Sequence, residues 1–200
     1  IATRIRCRDK VCVVGQCLFG AAYRLTSGLS FRAGVQDLPP EIEPERFYGE
    51  RFAFHGPLMR CVTTAGPRTE FGMTGELQVL PRAELFASQP DPEFLADPVI
   101  MDGVAQVMGL WLLERGWLTL PVGLEKLELY RPPVSPGARI PVRVEMVDRD
   151  PLTRQVTANL EVQDGAGGVW MRMEGWRVWE YPISRRLYAY QRQPEAHLFG

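Results

Sequence analysis

The chain has 200 residues, enough for one or two domains with a substantial buried core. Hydrophobic residues make up 46% of it and the formal net charge is −1, values that are typical of an ordinary globular protein. No stripe of basic residues indicates nucleic-acid binding, and no apolar run reaches the roughly 20 residues that a membrane span needs. Neither nucleic acid nor a membrane is therefore an expected partner.

The first residues carry signs of a chain that begins inside a longer polypeptide. They read IATRIRCRDK, with neither an initiator methionine nor the apolar core of a signal peptide. Residues 3 to 32 alternate like two or three strands that pair with each other and extend a sheet. Cys7, Cys12 and Cys17 are spaced by five residues, which does not match a zinc-ligand pattern. We expect no metal site, and free thiols in a reducing cytoplasm.

Residues 34 to 45, GVQDLPPEIEPE, are rich in proline and acidic residues. Pro39, Pro40 and Pro44 disfavour both a helix and a central strand, so this stretch predicts a linker. The sequence after Tyr181 shows no clear periodicity and predicts a second linker. The expected organisation is a strand-rich segment at 1–33, a linker at 34–47, a compact unit at 48–181 and an exit linker at 182–200.

A helix is predicted inside the compact unit, over residues 98 to 115. Asp97 is a good N-cap, Pro98 suits the first helical position, and Gly116 is a plausible stop. Hydrophobic side chains surround the helix, which indicates burial on nearly all sides. The residues opposite the Asp102 face, expected to be buried, are Ile100, Val104, Val107 and Trp111.

Asp102 and Gln106 are polar residues within this apolar helix, four positions apart and therefore on one face. Ala105 and Gly109 continue that face with small side chains, which would let another backbone or a thin ligand come close. A carboxylate in such a segment needs a partner or a function. Two interpretations remain open: backbone groups satisfy both side chains in the core, or the pair faces a narrow tunnel.

Strand patterns surround the helix. One precedes it, FGMTGELQVL, and four follow it: VGLEKLELYR, ARIPVRVEMVDR, RQVTANLEVQD and VWMRMEGWRVWEY. In the last strand, period-two alternation places Trp170 and Trp176 on one face and Trp179 on the other. A single helix that is apolar on every side is best buried by a sheet that curls around it. The predicted fold class is therefore α+β, with a long central helix wrapped by an antiparallel sheet, a hot-dog fold.

Three sequence elements, in order, resemble polyketide synthase dehydratase domains, mainly the C-terminal half of their double hot dog. The first is FHGPLM at residues 54 to 59, preceded by Tyr48. The second is DPVIMDGVAQ at 97 to 106, similar to the family's D-P-x-x-L-D-x-x-x-Q helix motif. The third is LPVGLEKLELYRPP at 120 to 133. The segment at 1–33 and the following linker would then end a first hot dog.

The resemblance implies a hydro-lyase that eliminates water from a β-hydroxyacyl thioester held on the phosphopantetheine of an acyl carrier protein, giving an α,β-unsaturated chain. It implies no cofactor of the chain's own, a cytoplasmic location, other domains of the same type I synthase as partners, and a homodimer formed through the parent protein. The family's acid corresponds to Asp102, and Gln106 to the residue that positions it. To serve as the acid near neutral pH, Asp102 would need a raised pKa, and desolvation by Met101, Val104 and Met108 would shift it in that direction.

The family's catalytic base, a histidine in an H-x-x-x-G-x-x-x-x-P element of the first hot dog, has no counterpart here, so we expect this chain to be inactive alone. His55 precedes a Gly-Pro turn and is either a structural residue of that turn or a further catalytic group. His197 is expected on the surface. The resemblance also implies that substrate is contacted by Tyr48, Gly56, Pro57, Ala105 and Gly109.

Two other functions remain open. A hot-dog thioesterase also uses an acidic residue on or near its central helix, but hydrolyses the acyl thioester. A pseudo-dehydratase or product-template-like module would bind or shape the chain without catalysis, and the missing histidine favours it slightly. Chain length and stereochemistry depend on the shape of the channel, which the sequence does not give.

Overall fold

The computed structural model describes residues 1–181 apart from 25, 30, 87, 90, 91 and 165. The predicted exit linker and His197 lie outside the described residues. Two helices are present in the described part of the chain, α1 (Pro44–Gly49) and α2 (Pro98–Leu113). The strands there are β1 (Ala2–Cys7), β2 (Lys10–Gln16), β3 (Val62–Arg68), β4 (Gly72–Gln78), β5 (Thr119–Gly123), β6 (Lys126–Leu129), β7 (Arg139–Asp150), β8 (Gln155–Gln163) and β9 (Val169–Glu180).

One antiparallel sheet forms the body of the molecule, in the order β3-β4-β7-β8-β9-β5, with β6 also paired to β9. Helix α2 packs against β3, β4, β7 and β8, so strands from both halves of the sheet contact the same helix. Alternate residues of β7 are buried, which is the pattern of a sheet with one face on the core. This arrangement confirms the predicted α+β hot-dog fold.

The start of α2 follows the predicted signals. The Asp97 side chain accepts hydrogen bonds from the backbone N–H groups of Val99 (3.0 Å) and Ile100 (3.3 Å), and Pro98 takes the first turn. Arg82 forms an ion pair with the buried Asp97 carboxylate. The helix ends at Leu113, two residues before the predicted end, and the chain turns at Gly116, whose φ of +76° is left-handed.

The helix is enclosed as predicted, because the four residues expected in the core are 0% exposed: Ile100, Val104, Val107 and Trp111. The Trp111 indole N–H donates to the carbonyl of Thr69 at 3.0 Å. Gly103 allows close packing on the neighbouring chain, since a Cβ there would lie 2.2 Å from Cys61 Sγ. The close fit between Gly103 and Cys61 therefore sets how closely α2 packs against the chain segment that contains Cys61.

Three elements differ from the sequence predictions. Strand β3 was not predicted, because its sequence VTTAGPR contains Gly and Pro and lacks a clear alternation. The predicted strand VGLEKLELYR is two strands, β5 and β6, which separately pair with β9. The predicted linker ends in a helix: Pro44 starts α1 at the first helical position, where its missing N–H costs nothing.

The segment before the linker also differs from expectation. Strands β1 and β2 pair only with each other among the described residues and do not extend the main sheet. Ser27, Leu29 and Arg32 contact instead the sheet face that points away from α2. There Glu161 accepts the Leu29 N–H at 2.8 Å, and Arg172 donates to the Ser27 carbonyl at 2.6 Å. Two buried charged side chains, Glu161 and Arg172, thus hold this segment, and the alternation of residues along a strand does not predict such contacts.

No helix in the described ranges is long and apolar enough to cross a membrane.

Candidate active site

A cavity lies along one stripe of α2. Most of this helix is buried, but Asp102, Ala105, Gly109 and Leu113 are partly exposed. Their spacing of three or four residues places them on one face, and all four line the cavity. The Asp102 side chain is 37% exposed, so the carboxyl opens to the cavity and is less desolvated than its apolar sequence context predicts.

The rest of the cavity wall is largely apolar and rich in aromatic rings. It is built from the segment after α1, the segment after α2, and the end of β9. The aromatic residues on it are Phe47, Phe52, Phe54, Trp117, Trp176 and Tyr181. An apolar cavity with a few convergent polar groups is the usual form of a small-molecule site.

The polar groups converge on Asp102. Gln106 Nε2 donates to Asp102 Oδ2 at 2.7 Å, and His55 Nε2 lies 3.1 Å from the same oxygen. Asp102 Oδ1 receives no hydrogen bond from the described residues, which leaves it available to a molecule in the cavity. We call Asp102, Gln106 and His55 the polar cluster.

Gln106 is held in one orientation by three partners. Its Nε2 also donates to the Met59 carbonyl at 2.8 Å, and its Oε1 accepts from the Tyr48 hydroxyl at 2.6 Å. Since the amide nitrogen can only donate and the oxygen can only accept, these partners determine the positions of Nε2 and Oε1. The Tyr48 hydroxyl in turn accepts the Val62 N–H at 3.1 Å. A fixed amide keeps the Asp102 carboxylate in place.

Tyr48 belongs to α1 and is buried in the core. Burial raises the pKa of its hydroxyl above the ordinary value, so that it stays a neutral donor at physiological pH. Helix α1, in the region predicted to be a linker, therefore has a direct role in the site.

His55 lies just before the turn of 3₁₀ helix at Pro57–Met59. Its ring stacks on Phe54 with centroids 4.6 Å apart, and its side chain is 14% exposed. The Arg60 Nε donates to the His55 carbonyl at 2.9 Å, which ties the two ends of the turn together. His55 Nδ1 is buried without a hydrogen-bond partner among the described residues. The ring thus presents Nε2, and not Nδ1, to Asp102.

The sequence-predicted site residues divide into two groups. Five line the cavity: His55, Asp102, Ala105, Gln106 and Gly109. The other three do not line it: Tyr48, Gly56 and Pro57. Tyr48 contacts the polar cluster through its hydrogen bond to Gln106, and the Gly-Pro pair lies at the start of the turn that follows His55.

Sequence reasoning missed the contribution of Trp176 to the cavity. The register between β8 and β9 shifts so that Ala158 pairs with Trp176 and Leu160 with Met173, which leaves one extra residue on β9. Gly175 adopts φ +64° at this bulge. The extra residue reverses the alternation, so Trp176 lines the cavity while Trp170 does not. The predicted common face for the two tryptophans is wrong.

Chemically, the polar cluster offers a cavity-lining carboxyl with one oxygen held by the Gln106 amide and the other without a hydrogen bond from the described residues. Such a group can give a proton to, or take one from, a bound molecule, and the neighbouring imidazole can share that proton. Within the described parts of the chain, no group of three His, Cys, Asp or Glu side chains is placed to hold a metal ion.

Fold and site together define an α+β hot-dog protein with a carboxyl, an amide and an imidazole beside an apolar cavity. A family model, described as the polyketide synthase dehydratase N-terminal domain, matches residues 28–185. The chain belongs to the polyketide synthase dehydratase family.

Solved structures of this family share the fold. A bifunctional dehydratase-cyclase domain of ambruticin biosynthesis is 23% identical, with a TM-score of 0.54 over 82% of this chain and 56% of that one. The dehydratase domain of RzxB from Pseudomonas fluorescens is 17% identical, with a TM-score of 0.54 over 74% and 54%. A trans-acyltransferase polyketide synthase dehydratase domain from Brevibacillus brevis is 16% identical, with a TM-score of 0.56 over 74% and 50%.

The chain therefore spans about half the length of these structures. No curated protein matches it in sequence.

Proposed function

We propose that this chain is the acid-bearing half of a dehydratase that removes water from a β-hydroxyacyl chain carried on an acyl carrier protein. Membership of the family, which implies hydro-lyase activity in general, supports the reaction class. The observation that carries the proposal is the polar cluster, in which an Asp on the central helix opens to an apolar cavity. An acyl chain can lie in such a cavity with its hydroxyl near the carboxyl.

In the proposed reaction Asp102 is the acid. Elimination breaks the bond between the β-carbon and its hydroxyl oxygen, and the leaving oxygen needs a proton. Asp102 lines the cavity, and its Oδ1, which receives no hydrogen bond from the described residues, would supply it, while Gln106 holds Oδ2 at 2.7 Å. That proton leaves in the water molecule, and the α-proton taken by the base returns to solvent. His55, 3.1 Å from Oδ2, would pass a replacement proton from solvent to the carboxyl between turnovers. Gln106 and Tyr48 are positioning residues in this scheme.

The base that takes the α-proton is proposed to come from another part of the parent protein. The matched residues include no counterpart of the family's histidine element, and this chain spans about half of the related structures. We propose that residues 48–181 correspond to the second hot dog, with the preceding segments closing a first one. The excised chain is then expected to be inactive alone.

The proposed partners follow from the reaction. Acyl carrier protein would deliver the thioester on its phosphopantetheine arm, and other domains of the same cytoplasmic synthase would supply the acyl chain and use the product. A homodimer is proposed to form through the parent. No cofactor of the chain's own is required, because proton transfers alone complete the elimination.

The direct test is product analysis with a β-hydroxyacyl pantetheine thioester. The parent domain should give the α,β-unsaturated thioester, seen by absorbance and mass spectrometry, whereas the excised chain should give none. Release of free thiol without the unsaturated product would identify a thioesterase. Unchanged substrate after incubation with the complete parent would identify a non-catalytic chain-binding module. Either result would reject the proposal.

A further inference from the structure

The cavity continues well beyond the polar cluster. Its α2 residues run from Asp102 through Ala105 and Gly109 to Leu113 along one stripe. At 1.5 Å per residue, the distance along the helix from Asp102 to Leu113 is about 16 Å. A thioester whose β-carbon lies at Asp102 thus has a long path available for the rest of its chain.

The polarity of the lining residues changes along this path. His55 and Asp102 are the titratable side chains at one end, and no other charged side chain of the described residues lines the cavity. Toward Leu113 the lining residues are mostly apolar, with two hydroxyl groups among them: Trp117, Leu118, Thr119, Leu120, Pro121, Trp176, Val178 and Tyr181. A charged chain would lose its hydration there without an ion partner, whereas an apolar chain gains from burial.

Gly109 keeps the middle of the path open. A Cβ placed on Gly109 would meet nothing within 4 Å, so the space beside it is free and not filled by a neighbour. Glycine within a helix lowers its stability by roughly 1 kcal/mol relative to alanine. This glycine is therefore not explained by packing, in contrast to Gly103, where the Cβ would contact Cys61 Sγ at 2.2 Å.

Trp176 forms part of the far wall because of a local change in the strand. The bulge at Gly175 turns the indole into the cavity instead of the opposite face of the sheet. Bulges re-aim a side chain at the cost of an unpaired residue in the ladder. The open space at Gly109 and the orientation of Trp176 are thus two features that a helix without this glycine and a strand without this bulge would lack.

We infer that Gly109 and Trp176 determine which acyl chains this cavity accepts, and that together they favour a long apolar chain. This inference rests on the proposed function, since it places the thioester end of the chain at Asp102. Gly109 lets the chain pass along α2, and Trp176 contacts its distal part. Short β-hydroxyacyl chains would fill only the polar end.

The test compares β-hydroxydecanoyl-pantetheine with β-hydroxybutyryl-pantetheine by isothermal titration calorimetry on the full chain. The long thioester should bind at least about tenfold more tightly, because several further methylene groups become buried. Gly109→Leu should remove most of this preference by filling the channel. Gly49→Leu is the matched control, since Gly49 is exposed and its Cβ would also meet nothing within 4 Å. It should keep the preference.

Trp176→Ala is an independent test of the contact with the distal part of the chain. It should reduce the affinity for the long thioester by roughly threefold or more, since it removes part of the far wall. Circular dichroism and thermal unfolding establish that each variant is folded. Equal affinities of the wild-type chain for both thioesters, or an unchanged preference in folded Gly109→Leu, would overturn the inference. Binding is measured without turnover, so the two claims can fail separately. A long-chain preference with no elimination by the parent would refute the dehydratase function but not the inferred channel. Elimination by the parent without a preference for the long thioester would refute the channel but not the dehydratase function.

Discussion

Removing the Gln106 amide tests whether a buried hydrogen-bond chain holds the site together. Gln106 is 3% exposed and bonds to the Tyr48 hydroxyl, the Met59 carbonyl and Asp102. Gln106→Leu keeps a side chain of similar size but none of these bonds. The Tyr48 hydroxyl then has no acceptor for its hydrogen, whereas the Met59 carbonyl keeps the Cys61 N–H as a donor at 3.2 Å.

The expected loss follows from the group left without a partner. A buried donor or acceptor that loses its partner costs about 1–3 kcal/mol, and one such group, the Tyr48 hydroxyl, remains after Gln106→Leu. Asp102 opens to the cavity and can be hydrated, so it adds little. We expect the free energy of unfolding to fall by about 1–3 kcal/mol. Adding Tyr48→Phe removes one orphaned hydroxyl, so the double variant should be less damaged than the sum of the single variants.

The assay is a double-mutant cycle. Urea unfolding followed by tryptophan fluorescence gives the free energy of unfolding of the wild type, Tyr48→Phe, Gln106→Leu and the double variant. The two single effects should exceed the double effect by at least about 1 kcal/mol. Additivity within about 0.5 kcal/mol would mean that the two side chains do not interact, and would refute the described geometry.

Other predictions concern the core and the pH dependence of stability. Trp111→Ala should lower the free energy of unfolding by about 3–5 kcal/mol, measured by urea unfolding, because the ring is fully enclosed; a loss below about 1 kcal/mol would contradict a wrapped helix. Gly103→Ala should lower it by about 1–3 kcal/mol through contact with Cys61 Sγ. Gly109→Ala should instead raise it by up to about 1 kcal/mol, and equal effects would contradict the packing. Burial raises the pKa of the Cys61 thiol from 9.0 to about 12, so the native state keeps a proton that the unfolded chain loses. Stability should therefore fall as pH rises from 9.0 toward 12, by up to about 1.4 kcal/mol per pH unit, and less steeply in Cys61→Val. Identical slopes in urea titrations of the two proteins would contradict this.

The central helix was predictable because its signals are local. Asp97 and Pro98 mark its start within two residues, and the apolar residues on every side predict enclosure by a sheet. Asp102 and Gln106 were recognisable as a pair from spacing alone. These features need no knowledge of distant residues, and the fold class followed from them.

The remaining site depends on contacts between distant parts of the chain. Tyr48 and Gln106 are separated by 58 positions, and only the fold brings α1 against α2. The 3.1 Å approach of His55 to Asp102 depends on how the turn at Pro57–Met59 packs. Trp176 reaches the cavity because one extra residue at Gly175 reverses the strand alternation, an effect that period-two reasoning does not capture.

The central claim is that Asp102 supplies the proton to the leaving hydroxyl, and the most direct measurement is elimination by the parent domain carrying Asp102→Asn. The amide keeps the shape of the carboxyl but cannot deliver a proton, so formation of the unsaturated thioester should stop while circular dichroism and thermal unfolding remain as in the wild type. Full elimination activity in this variant would contradict the assignment, and His55 would then be the residue to test as the acid.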